Sequence, residues 1–259
     1  MPLFNFQLKP VAEINPWGEG EDRYLSWFAL TEGEFWIDVG NEVLFRFSDA
    51  ICEHWRMSSI YPGHQIVEIL SDMLDSAQCA MAPLPDFFES LARDWSELSD
   101  IKHDMSEHSR YYDAFRWLGE RSPATLYFVA YPNLSFYRVD DSIIIGWDNR
   151  HKKVDGIPVW TAEMGSFIIP VDRFWEECHQ FVSRLLSAMD DRLMKIETKS
   201  EIPLVPTRHD ELLGHHAKWK EELSNRLVIR EEPDVPWNEA EAAFRSLLAE
   251  YRNQDPFFR

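Results

Sequence analysis

Apolar and polar residues change their rhythm three times along this chain, from strand to helix, back to strand and again to helix. Near the start Phe4, Phe6 and Leu8 alternate with polar neighbours, the period of a half-buried strand. Pro10 and Pro16-Trp17-Gly18 then punctuate a loop. Three aromatic-rich runs follow: Tyr24 to Leu30, Phe35 to Val39, and Val43 to Phe47. Thr31-Glu32-Gly33 and Gly40-Asn41 separate them, so the spacing predicts a meander of three or four antiparallel strands. From Asp49 the period becomes helical. Ile66, Ile69, Leu70, Met73, Leu74 and Ala77 share one face. Pro83 and Pro85 break this helix, and Pro85 starts a second one carrying Phe87, Phe88, Leu91 and Trp95. A third carries Tyr111, Tyr112, Phe115, Trp117 and Leu118 and ends near Gly119.

The stretch Thr125 to Pro170 reads as strand again. Its runs are Leu126 to Tyr131, Leu134 to Val139, Ser142 to Trp147, Val159 to Ala162 and Phe167 to Ile169, with turns at Asp140-Asp141 and Gly165-Ser166. The clearest helix follows over residues 172–196. There Phe174, Cys178, Phe181, Val182, Leu185, Met189, Leu193 and Ile196 form one stripe, with Glu176, Glu177, Asp190 and Asp191 mostly off it. Beyond Ser200, with Pro203 and Pro206, two amphipathic helices are expected. One carries Leu212, Leu213, His216, Trp219 and Leu223, and the other begins near Asn238. The expected fold is α+β, an antiparallel sheet packed against several helices with a C-terminal helical pair. Residues 1–199 are expected as the core domain and residues 200–259 as a helical appendage docked on it.

Composition narrows the function classes. Among 259 residues, 26 Lys and Arg face 45 Asp and Glu, a net charge of −19. That balance disfavours nucleic acid and anionic lipid and favours association with a basic protein. The densest basic run is Arg150-His151-Lys152-Lys153, which reads as a solvated loop. With 45% hydrophobic residues and 11 Trp there is ample material for a core. Three isolated cysteines, Cys52, Cys79 and Cys178, without a CxxC pair are expected as buried thiols of a reducing cytosol. The start of the chain lacks the pattern of a secretory signal, and no apolar stretch approaches the ~20 residues of a membrane span. A cytoplasmic location is the expectation, with no membrane and no nucleic-acid partner.

No phosphate-binding glycine loop, nucleophile elbow or dinucleotide fingerprint occurs, and no cofactor is expected. Each remaining cluster has a plain reading beside the chemical one. His215-His216, adjacent on a helix and about 100° apart, fit one packed and one exposed ring better than a metal pair. His103 and His108, with Asp104 and Glu107, lie in a polar stretch expected at the surface. The acidic groups Glu19/Glu21/Asp22, Asp140/Asp141 and Glu231/Glu232/Asp234 lack the oxygen density of a calcium loop. The most interesting polar site is Trp147-Asp148-Asn149-Arg150 with Trp160 and Thr161. It is expected as turn structure first, through Asx bonding, and as a ligand or partner contact second.

Several phrases belong together: Pro16-Trp17-Gly18, Leu25-Ser26-Trp27-Phe28-Ala29-Leu30-Thr31, Trp147-Asp148-Asn149-Arg150, Asp155-Gly156-Ile157-Pro158-Val159-Trp160-Thr161-Ala162, and Arg184-Leu185-Leu186-Ser187-Ala188-Met189. The set resembles a bacterial family, the domain of unknown function numbered 5984, over most of the chain and least between Asp49 and Arg110. The resemblance implies a bacterial, cytoplasmic protein and brings no established activity. By analogy with small acidic neighbours of toxin genes, the expected role is a non-catalytic acidic binding protein, immunity or antitoxin-like, that blocks a basic toxin or partner. The alternatives are an enzyme with an unfamiliar convergent site, or a structural or accessory subunit. The oligomeric state is left open.

Overall fold

The structure is a computed structural model that describes residues 2–20, 23–105, 112–198, 208–229 and 236–253. The fold is α+β, as expected, but its strands divide between two main sheets. In the first, strand β2 (Glu32–Val39) is flanked on one edge by β1 (Phe4–Leu8) and on the other by β3 (Glu42–Leu44) and β4 (Gly63–Gln65), all antiparallel. In the second, β5 (Leu134–Val139), β6 (Ser142–Asp148) and β9 (Met164–Pro170) pair in that order, also antiparallel. A short hairpin of β7 (Lys153–Val154) and β8 (Ile157–Pro158) lies between β6 and β9 in sequence.

Strands β5 and β6 of the second sheet are buried on both faces, which explains the unbroken apolar run Ile143-Ile144-Ile145, whereas β9 leaves Ile168 63% exposed. On one face Phe136, Ile143 and Ile145 join a core with the first sheet and with helices α1 (Asp49–Trp55), α2 (Ile66–Met81) and α6 (Val171–Glu197). On the other face Tyr137, Val139 and Ile144 join a smaller core. It is built by α3 (Asp86–Arg93), α4 (Trp95–Met105), α5 (Tyr112–Glu120) and α8 (Trp237–Asn253). Helix α7 (His209–Arg226) docks on α6 and α2, while α8 packs on α5 and α4. The two C-terminal helices therefore serve different cores.

Helix α6 runs 27 residues, about 40 Å at 1.5 Å per residue. Its stripe seats Phe181 on Phe4 and Phe35, with ring centroids 5.6 and 5.8 Å apart, and Phe174 on Phe136 at 5.2 Å. Two polar residues of this helix are buried, Glu177, expected off the stripe, and Arg192. Glu177 Oε2 accepts the backbone N–H of Leu3 at 2.7 Å, and Arg192 donates to the carbonyls of Leu30 and Lys9. Each satisfies backbone of the N-terminal segment that no sheet partner reaches.

Three runs expected as strands are not strands. Tyr24 to Leu30 forms turns ending in a 3-10 turn at Ala29–Thr31; Ser26 Oγ accepts Ala29 N–H at 3.0 Å, and Leu25, Trp27, Ala29 and Leu30 are all buried rather than alternating. Leu126 to Tyr131 is a chain of turns with Ala130 at φ 48°, and Leu126 and Val129 stay 73% and 63% exposed. Val159 to Ala162 contributes a single bridge, Phe47 to Trp160. The opposite error concerns Gly165-Ser166, expected as a turn and found inside β9, paired with Trp147 and Gly146. Gly165 is required there because the Trp147 ring lies where a Cβ would sit, 2.5 Å from it. Gly146 is covered in the same way by Trp95, at 2.6 Å.

Candidate functional site

Strand β6 delivers Trp147 and Asp148 to the end of the second sheet, and the chain turns immediately after. Asp148 is 6% exposed. It accepts Ser99 Oγ from α4 at 2.5 Å, and from Arg150 the backbone N–H at 3.1 Å, Nε at 3.0 Å and Nη2 at 2.7 Å. Arg150 Nη2 also reaches Asp100 at 2.6 Å. Burial raises the Asp148 pKa, but the bonds from Arg150 and Ser99 outweigh it and hold the carboxyl at about 2. Asn149 is equally occupied: Oδ1 accepts Asn133 N–H at 2.9 Å and Nδ2 donates to the Ala162 carbonyl at 3.0 Å.

Trp160 and Thr161 lie at the other end of this tie. The Trp160 ring stacks on Phe47 at 4.7 Å and its Nε1 donates to the Ala130 carbonyl at 2.8 Å. Thr161 is exposed, and its hydroxyl donates to Arg46 rather than to the Asp148–Asn149 turn. Five of the six residues singled out in the sequence thus lie along β6, the turns before β5 and the segment before β9, tied mainly by Asp148, Asn149, Arg150 and Trp160, while Thr161 stands apart on Arg46. Asp148 lines a cavity.

That cavity, about 410 Å³, lies between α4, the turns of residues 122–134 and the turn of residues 148–152. Its walls carry cations. Lys102 Nζ stands 3.5 Å from Ser122 Oγ, and Lys152 Nζ stands 3.7 Å above the centre of the Tyr131 ring. The rings of His103 and His151 stack in parallel, 3.7 Å apart. Burial, then the neighbouring Lys152, push the Lys102 ammonium down to about 8 against the pull of Asp148. Burial also lowers Lys152, again against Asp148. The sequence showed the run Arg150 to Lys153, but Lys102 lay in a stretch read as frayed, so their convergence was missed.

A groove of opposite sign adjoins this cavity, sharing Ser122 and Ala124 with it. It is about 410 Å³ in volume, and Asp72 and Asp75 line it from α2 with Glu120 from the end of α5. Burial first, then Glu68 and Asp75, raise the Asp72 carboxyl to about 6, outweighing the Tyr127 hydroxyl and Arg226. Glu120 Oε1 accepts Arg116 Nε at 3.1 Å, whereas Oε2 is buried with no hydrogen-bond partner among the described residues. Asp75 is held by Arg226 at 2.6 Å. Glu68, Asp72 and Asp75, spaced four and three apart, put three carboxylates on one helix face; that signal was readable in the sequence.

The other candidates resolve simply. His216 is buried: Nδ1 accepts Trp27 Nε1 at 3.1 Å and Nε2 meets Asp190 Oδ1 at 2.8 Å, while His215 is exposed. His103 is exposed; His108, Glu107, Glu21, Asp22, Glu231, Glu232 and Asp234 lie outside the described residues. Asp140 is exposed and paired with Arg93 at 2.6 Å. Cys178 is buried, and Cys52 and Cys79 are half-buried. Among the described residues no helix is long and apolar enough to cross a membrane.

One family model, described as Family of unknown function (DUF5984), matches residues 3–243 of the chain. No curated protein and no solved structure matches it.

Proposed function

The chain belongs to DUF5984, a family of unknown function, and from its charge geometry we propose that it is a non-catalytic acidic binding protein that engages a basic protein partner, in the manner of an immunity or antitoxin factor. One observation supports this above the others: several arginines are spent on backbone carbonyls while many carboxylates stand exposed. Arg121 and Arg192 are 1% and 8% exposed. Arg138 donates to the Met81 carbonyl, Arg184 to that of Phe4, and Arg192 to those of Leu30 and Lys9. Glu13, Glu42, Asp172, Glu176 and Asp191 meanwhile stand exposed. Two arginines and two carboxylates, Asp148 and Glu177, are buried, so the surface carries the acidity of the net charge of −19, which accelerates encounter with a cationic partner.

The groove of Asp72, Asp75 and Glu120 is the proposed docking point. Asp72 is kept among like charges at a cost to stability, and a Lys or Arg side chain entering there would relieve that cost and satisfy Glu120 Oε2. An octa-arginine peptide is a suitable probe, with affinity measured by calorimetry at low salt. Replacing Asp72 and Glu120 together by Asn and Gln should weaken binding at least tenfold. Neutralising the remote pair Glu13 and Glu42 should change it less than about twofold. Equal losses from the two pairs would mean that charge attracts the peptide with no docking point, and the proposal would fail.

The enzymatic alternative has one observation in its favour, Lys102 beside Ser122. The Ser122 hydroxyl is already 2.9 Å from the Leu118 carbonyl and 2.7 Å from Ser135 Oγ, which leaves it poorly placed as a nucleophile.

A further inference from the structure

We propose that the cavity between α4 and the turn of residues 148–152 is a binding site for a small phosphate monoester, with the phosphate held by Lys102 and Lys152. This site is separate from the acidic groove and does not depend on the binding role proposed there.

The placement of charge is the first reason. Most described cations of this acidic chain are matched to carboxylates or spent on buried carbonyls. Lys102 and Lys152 are not: their recorded polar contacts are a hydroxyl and an aromatic face, and no described carboxylate approaches either within 4 Å. Two ammonium groups facing one partly enclosed space repel each other, and burial makes the repulsion worse. A dianion placed between them removes it. Asp148 also lines the cavity, but its oxygens are occupied by Ser99 and Arg150, so its charge is met from its other side.

The shape of the walls is the second reason. Trp95 closes one side and is fixed by its Nε1 bond to the Trp147 carbonyl at 3.1 Å. Leu126, 73% exposed, stands at the rim, although an apolar side chain gains nothing from water. Tyr131 presents its ring below Lys152. These surfaces suit a compact apolar body attached to the anionic head, and a volume of about 410 Å³ falls in the range of small-ligand sites. Two cations match a doubly charged phosphate better than a singly charged carboxylate. Generic electrostatics cannot imitate such binding, because a chain of net charge −19 repels anions everywhere else.

The test is calorimetric titration of the full chain with phenyl phosphate, benzoate, inorganic phosphate and phenol at low salt. Phenyl phosphate is expected to bind at one site with Kd of about 1 mM or tighter. Benzoate and inorganic phosphate should each be at least tenfold weaker, and phenol should not bind. Lys152→Met, at a half-buried position and with its melting temperature recorded, should weaken phenyl phosphate at least tenfold. Lys102→Met should do the same, with its melting temperature recorded beside it. Lys153→Met, its neighbour on β7, should have no effect. Absence of saturable binding, equal affinity for benzoate or inorganic phosphate, or equal losses from Lys152→Met and Lys153→Met would each overturn the assignment.

Discussion

Replacing Asn149 by Ala tests how far the turn after β6 is a structural seam. Asn149 is 7% exposed and spends its amide on two backbone groups, the N–H of Asn133 at 2.9 Å and the carbonyl of Ala162 at 3.0 Å. The truncation removes little apolar area, so the hydration term is small. What remains is one half-buried donor and one buried acceptor without partners. Each such group costs about 1–3 kcal/mol, so the sum should be about 3 kcal/mol. Asn149→Asp should be at least as damaging, because it keeps the acceptor for Asn133 but turns a carboxylate oxygen toward the Ala162 carbonyl. Thr161→Ala, whose hydroxyl is exposed and makes one long bond at 3.3 Å, should cost less than about 0.5 kcal/mol. Urea unfolding followed by Trp fluorescence measures all three. An Asn149→Ala protein within about 0.5 kcal/mol of the parent would refute the reasoning and return this residue to the pool of ligand contacts.

Three further outcomes are expected. Gly146→Ala puts a methyl group 2.6 Å from the Trp95 ring and should cost about 2–3 kcal/mol in urea unfolding, whereas Gly119→Ala, which meets nothing within 4 Å, should be neutral or slightly stabilising. The Asp148 carboxyl lies at about 2, below its ordinary 3.8, so its contribution is present above about pH 4 and lost as pH falls toward 2. That loss should be about 2 kcal/mol, and Asp148→Asn should show a correspondingly flatter profile; identical profiles would contradict it. Asp72 has the opposite sign: with its carboxyl raised to about 6, the neutral form is favoured in the fold, and stability should decline as pH rises from about 4 to 6. Asp72→Asn should therefore raise the melting temperature at pH 8 and leave it nearly unchanged at pH 4; no gain at pH 8 would count against the strain assigned to this groove.

The elements legible in the sequence were those whose burial has a single period. The stripe of α6, the face of α2 and the β5–β6 hairpin all follow from one buried side or one buried run. The failures are apolar runs carried by turns rather than by ladders. Leu25 to Leu30 is apolar because its turns sit inside the core, and Leu126 to Tyr131 is apolar although Leu126, Val129 and Tyr131 face water. Nothing in a linear pattern separates these from strands. Gly165 misled for a related reason: its missing side chain makes room for Trp147, a contact between adjacent strands that sequence spacing does not show. Of the candidate site, the polar turn at Trp147 to Arg150 was read from the sequence, whereas the acid face of α2 was missed although its four-and-three spacing is there to see. Lys102 was not, because its meeting with Lys152 depends on how α4 packs against the end of the second sheet.

The central claim is that the acidic surface has one place built to take a cation, and chemical-shift mapping of the labelled protein with octa-arginine tests it most directly. The account predicts perturbations concentrated at Asp72, Asp75, Gly119 and Glu120. Shifts spread over Glu13, Glu42, Asp172 and Asp191 in the same measure would contradict it.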